Sequence, residues 1–218
     1  MTELIMNLNL LDIILNLDDY LTYLINNYGM EAFLIIFLIV FCETGLVVLP
    51  FLPGDSMIFV LGALGANGKI NLLTIGSILI VAAILGNMLN YQIGRWFGPK
   101  VFERDTGRLF KKEYLLRTHA FFEKHGGKTI VIARFMPIIR TFAPFVAGIG
   151  QMDYYRFTIY NLIGSISWVL VCLGAGYSFG NIPVVENNFT LIIVGIVFVS
   201  LIPAIVISWR QKRQNTGQ

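Results

Sequence analysis

Two long apolar runs in this chain are broken by prolines and charges at the depth where a membrane helix is normally uninterrupted. The first break is Glu43 to Asp55, ETGLVVLPFLPGD, inside a run covering residues 32–64. The second is Arg134 to Gly148, RFMPIIRTFAPFVAG. Pro50 and Pro53 in one, and Pro137 and Pro144 in the other, lack backbone donors and break or kink a helix interior. Gly54 permits a sharp turn after Pro53, and Gly148 gives the second stretch a similarly permissive position. Irregular backbone at membrane depth is tolerated only where it is buried in protein or lines a wet cavity. The first break carries acids, Glu43 and Asp55; the second carries Arg134 and Arg140. Opposite charges in two broken segments point to a polar site built inside a bilayer.

The surrounding composition supports a bilayer. Of 218 residues, 56% are hydrophobic and 13% charged, far from a soluble average. The apolar residues gather in 32–64, 72–97, 129–150, 157–179 and 189–209, each long enough to cross a membrane or to dip in and out of one. The expected class is an all-α integral membrane protein. Residues 1–68 hold no Lys or Arg and seven acids, whereas residues 95–128 hold nine Lys or Arg and the tail adds Arg210, Lys212 and Arg213. Positive segments stay cytoplasmic, so the loop 98–128 and the C-terminus are expected on that side. Nucleic acid is excluded as a partner, because the basic residues flank spans and four acids are interleaved in the loop. Cys42 and Cys172 are isolated in apolar sequence, as small buried hydrophobes are, and no metal-ligand spacing exists. The N-terminus carries no basic signal-peptide region, so the spans themselves are expected to direct insertion.

In chain order, residues 9–27 place Asp12, Asn16, Asp19 and Asn26 at helical spacing, as in an amphipathic helix at an interface or packed on the protein. Tyr28-Gly29 ends it, giving an N-terminal segment 1–30. A membrane domain 31–180 follows. It comprises a broken segment 31–62, a Gly/Asn turn from Gly62 to Asn71, a span 72–97, the basic loop 98–128 with a short helix near 109–125, a second broken segment 129–150 and a span 157–179. The segment 181–218 holds a last span and the basic tail. Asn87 and Asn90 share a face of the span 72–97, and Asn161 lies in the span 157–179. Such residues mark a helix–helix contact or, alternatively, line a pathway.

Parity then orders the topology. Loop and tail lie on one side, so an even number of crossings separates them. If 157–179 and 189–209 each cross, 129–150 must enter and return. The first half reads the same way from the other side, and each half ends in Tyr-x-x-Gly, Tyr91 to Gly94 and Tyr177 to Gly180. The expectation is an inverted repeat of two re-entrant, proline-broken hairpins plus spanning helices, the pattern of secondary transporters.

Four central charges would cost roughly 10–14 kcal/mol if left unpaired, at about 2.5–3.5 kcal/mol each. They must pair, hydrate or neutralise. Buried ion pairs rarely stabilise more than apolar substitutes, which argues for a use. Arg134 and Arg140 offer planar donor forks suited to phosphate. Glu43 and Asp55, desolvated, can take up protons and so couple or gate. An anionic substrate moved with or against protons fits all four.

With these residues in view, the chain resembles the DedA family of bacterial inner-membrane proteins, which carry the VTT domain. The likeness rests on ETGLVVLPFLPGD (Glu43 to Asp55), on EKHGGKTIVIARFMPIIRTFAPFVAG (Glu123 to Gly148) and on Gly176-Tyr-x-x-Gly180, and it covers nearly the whole chain. It implies two opposed re-entrant hairpins, a place in the bacterial cytoplasmic membrane, and a role in returning a polyprenyl phosphate carrier lipid, undecaprenyl phosphate, across that membrane. It also implies dependence on the proton motive force, with Glu43 and Asp55 as functional acids and Arg134 and Arg140 as functional arginines.

The expected function is a flippase for polyprenyl phosphate, supporting envelope homeostasis, with membrane lipids and protons as further partners and a homo-oligomer left open. The alternative is a proton-coupled antiporter of small cations or drugs, in which the arginines are structural. An enzyme is not expected. Both histidines, His119 and His125, lie in the basic loop, HExxH is absent, and Ser165 and Ser167 have no intramembrane His to activate them. No cofactor or metal is expected, and a non-catalytic assembly factor completes the options.

Overall fold

The computed structural model describes residues 17–46, 54–102, 127–180 and 182. Among these every regular element is an α-helix: α1 (Leu17–Tyr28), α2 (Met30–Gly45), α3 (Gly54–Ala66), α4 (Leu72–Phe102), α5 (Lys128–Ala133), α6 (Pro137–Ile149) and α7 (Tyr154–Phe179). The expected loop helix near 109–125, the last span 189–209, and Pro50 and Pro53 lie outside the described residues.

Local chemistry sets the helix ends. Gly29, at φ +49°, separates α1 from α2, a left-handed position that suits glycine. The Asn71 side chain accepts from the Thr74 N–H at 3.0 Å and opens α4; Asp153 accepts from the Arg156 N–H at 2.9 Å and opens α7. Both are N-caps. Between α5 and α6 the chain closes in tight i→i−3 turns over Arg134, Phe135 and Met136. Met136 is then extended, at φ −117° and ψ 104°, as a residue before proline prefers. Pro137 starts α6, where its missing N–H costs no helix bond.

Among the described residues two helices are long and apolar enough to span, Leu72–Phe97 and Tyr154–Phe179, each of 26 residues. At 1.5 Å per residue each covers about 39 Å, more than the ~30 Å hydrocarbon core. They also turn apolar side chains outward: Leu73, Leu85 and Trp96 on α4, and Leu162, Leu170 and Val171 on α7, are exposed. A helix apolar on its outer face belongs in lipid. By contrast α3 and α6 have 13 residues each, about 20 Å, and neither can cross alone.

Two helix ends differ from expectation. α4 continues past residue 97 to Phe102, into what reads as loop, and α3 continues past Gly62 to Ala66. Gly62 looks like the start of a turn because it opens a Gly- and Asn-rich stretch. It sits inside a helix because another helix approaches there too closely for a side chain.

The described residues divide into two compact units, drawn from residues 1–37, 53–79 and 169–218 and from residues 38–52 and 80–168. In the first, α1 packs against α3 through a face that buries Leu17 and Leu21. α3 also lies on the C-terminal part of α7. A Cβ on Gly62 would strike the Leu173 carbonyl and the Tyr177 N–H, and one on Gly176 would strike the Phe59 carbonyl. In the second unit, α6 lies on α4. A Cβ on Gly148 would strike the Tyr91 carbonyl and the Arg95 N–H, and one on Gly94 would strike the Phe145 carbonyl. The contact Phe59-x-x-Gly62 on Leu173-x-x-Gly176-Tyr177 thus recurs as Phe145-x-x-Gly148 on Tyr91-x-x-Gly94-Arg95. Sequence likeness pairs Gly94 with Gly180; by contact, Gly94 corresponds to Gly176. The core of the second unit is Tyr91, Ile130, Ala133, Ala143, Ala147, Met152 and Phe157, with the Tyr91 ring stacked on Phe157 at 4.4 Å.

Candidate functional site

Glu43 stands in the last turn of α2 and Arg140 in the first turn of α6. Arg140 Nη2 donates to Glu43 Oε1 at 2.5 Å, and both side chains are buried. Each charge occupies the helix end that disfavours it. The C-terminal end of a helix repels a carboxylate and the N-terminal end repels a cation, by roughly 0.3–1 kcal/mol each. The two elements therefore gain nothing locally from these residues, and the pair exists for what it does across the unit.

Arg134 caps the C-terminus of α5, an end that favours a cation. It is 3% exposed. Its side chain lies over α7: Cδ would sit 3.4 Å from a Cβ built on Gly164, and its guanidinium carbon lies 5.0 Å from the centre of the Trp168 ring. The guanidinium carbon of Arg140 lies 4.7 Å from the centre of that same ring. Trp168 is 2% exposed. Two buried guanidiniums therefore share one indole, and one of them carries Glu43.

A hydrogen-bonded frame holds the elements that present these charges. Gly86 on α4 comes against Gly45 and Thr44 on α2. One turn further along α4, the Asn90 amide donates to the Thr44 carbonyl at 3.1 Å and to the Thr141 carbonyl at 2.8 Å. Those carbonyls belong to the chain neighbours of Glu43 and Arg140. Asn87 donates to Asn161 Oδ1 at 2.7 Å, Asn161 donates to the Ile84 carbonyl at 3.1 Å, and Ser165 donates to Asn161 Oδ1 at 3.2 Å. All three asparagines are buried, and their bonds tie α4 to α2, α6 and α7.

The structure thus brings together Glu43, Arg134 and Arg140 in the second unit. Asp55 stands in the first unit, half-buried in the first turn of α3, next to Gly54. Its carboxylate there suits the helix N-terminus. Pro144 lies inside α6 and Gly148 makes the close contact with α4. His119 and His125 lie outside the described residues. Among the described residues no cluster of His, Cys, Asp and Glu has the makings of a metal site. Sequence reasoning missed Trp168 as part of the site, because a tryptophan in a span ordinarily reads as lipid-facing or interfacial. Its spacing of four from Gly164, which puts both on one face of α7, was the available signal.

These features define a helical membrane protein with an acid and two arginines buried among its helices. The chain belongs to the DedA family: residues 46–178 match the VTT domain. It is 52% identical over 206 residues to protein DedA of Escherichia coli K12, covering 94% of each chain. It is 43% identical over 178 residues to an uncharacterized membrane protein of Mycobacterium leprae, covering 82% of this chain and 80% of that one. It is 33% identical over 196 residues to the inner membrane protein YqjA of Escherichia coli K12, covering 87% and 89%. No solved structure matches the chain.

Proposed function

We propose that this protein carries a polyprenyl phosphate, the class that includes undecaprenyl phosphate, across the bacterial cytoplasmic membrane, driven by the proton gradient. The observation that supports this most is the convergence of the Arg134 and Arg140 guanidiniums on Trp168. Arginine forks match phosphate oxygens two at a time, and burial strengthens such contacts. The lipid tail stays in the bilayer while the head group is held. Glu43 acts as the resident anion of the site. A proton arriving at its carboxylate breaks the pair with Arg140, whose fork then joins Arg134 on the phosphate; loss of that proton restores the pair and expels the head group. Asp55 is the second acid we assign to proton coupling. The protein works by binding and release, without covalent chemistry or a cofactor.

In this reading residues 31–62 and 129–150 are re-entrant hairpins entering from opposite faces, and the halves form an inverted repeat. The shortness of α3 and α6 and the recurrence of one glycine contact in both units support it. The basic loop 98–128 and the C-terminal tail face the cytoplasm.

The test uses purified protein in liposomes carrying fluorescent undecaprenyl phosphate in both leaflets. Loss of outer-leaflet signal to an impermeant quencher is followed with and without a pH gradient. Wild type should move the lipid, Arg134→Lys should abolish movement, and Glu43→Gln should remove the effect of the gradient. Vesicles with folded protein that behave like empty ones contradict the proposal, and cation–proton exchange in the same vesicles would then favour an antiporter.

A further inference from the structure

We infer that Trp168 is a positioning residue that sets the spacing of the two phosphate-holding guanidiniums; this deepens the reading above and rests on it. The face of α7 that carries Trp168 is built for Arg134. Gly164 leaves room for the aliphatic stem, with Cδ 3.4 Å from where a Cβ would stand, and Trp168, four residues on, meets the head. Arg140 reaches the same ring from α6. The ring-centre distances, 5.0 and 4.7 Å, keep the two guanidinium carbons within about 10 Å of each other. Each arginine comes from a different short helix or its end, so neither backbone by itself fixes that separation.

An aromatic face suits this task better than a carboxylate. It attracts a guanidinium through its quadrupole but does not neutralise it, and it leaves the in-plane N–H edge as the donor side. A carboxylate in the ring's place would compete with every phosphate that arrived. A hydroxyl or amide would hold it with less geometric definition. A ring shared by both cations also has a chemical consequence. A phosphate that draws either guanidinium toward itself must change the surroundings of Trp168, so this indole reports occupancy.

The experiment exploits the three tryptophans of the chain. Trp96→Phe with Trp209→Phe leaves Trp168 as the sole emitter. Without any lipid, Arg134→Lys and Arg140→Lys should each shift its emission; unchanged emission in both overturns the shared platform, whatever the protein transports. With undecaprenyl phosphate titrated into the single-tryptophan protein in nanodiscs, the emission should change saturably, and uncharged undecaprenol should leave it flat. In the liposome assay, Trp168→Leu should raise the half-saturating phosphate-lipid concentration about tenfold, the weight of one desolvated cation–ring contact, with less effect on the maximal rate. Trp168→Phe, which keeps a ring, should recover most of that loss, and equal half-saturation in all three proteins overturns the positioning role. A protein that shows both lysine-induced shifts but moves no phosphate lipid supports the platform and contradicts the transport reading, so the two claims fail separately.

Discussion

Glu43 and Arg140 are the residues on which a structural and a functional reading differ most. Removing one partner of a buried pair leaves a buried charge and costs roughly 3–5 kcal/mol, whereas replacing both by apolar groups of similar size is often neutral. Glu43→Gln should therefore lower the thermal midpoint of the detergent-solubilised protein clearly, while Glu43→Leu with Arg140→Met should restore it toward wild type. Transport should nevertheless be lost in the double variant, which lacks the Arg140 fork. Recovery of transport together with stability would mean the pair is only a brace. Glu43, Arg134 and Arg140 were legible in the sequence because an ionisable group in an apolar run is costly and needs a reason. Trp168 and the Thr44 and Thr141 carbonyls were not. An apolar ring in an apolar helix carries no such penalty, and no sequence pattern announces a backbone acceptor.

The elements are held by contacts in which side chains are absent or amides are doubly used. Asn90 donates to carbonyls on α2 and α6 at once. Asn90→Leu removes both donors and should destabilise the protein by about 1–3 kcal/mol, read as a lower unfolding midpoint; an unchanged midpoint would contradict the tie. The paired glycine contacts give a second forecast. Gly62→Ala and Gly148→Ala each drive a methyl into a neighbouring backbone and should each cost about 1–3 kcal/mol. Gly174→Ala, where nothing lies within 4 Å, should leave the midpoint unchanged or raise it. Similar midpoints for all three would show that the close approaches do not matter. The helices themselves were readable from apolar runs and prolines. Their ends were less so, since Gly62 in a Gly/Asn-rich stretch looks like a turn until a second helix is known to cross it. The Asn87 and Asn90 face was readable as polar, but only the partner distances distinguish a clasp from a lining.

For the whole molecule, the apolar outer faces of α4 and α7 and the DedA family place the chain in a membrane; the proposed orientation rests on the distribution of Lys and Arg. In a Cys42→Ser, Cys172→Ser background, single cysteines at Lys112 and Lys212 should both be labelled by an impermeant thiol reagent only from the cytoplasmic face. Labelling of either from outside would overturn the proposed topology. The recurring glycine contact was half legible. Prolines and parity suggested two like halves, while the matching of Gly94 with Gly176 needed contacts between residues some 110 positions apart, such as Gly62 with Leu173. The most direct test of the central claim, a phosphate head group held by two arginines, compares lipids that differ only there. Fluorescent undecaprenyl phosphate and fluorescent undecaprenol are placed in matched vesicles, and protein-dependent transbilayer movement is measured for each. A phosphate-holding carrier accelerates the phosphate and leaves the alcohol at the rate of empty vesicles. Equal acceleration of both would contradict it, because the buried guanidiniums would then have no part in choosing what moves.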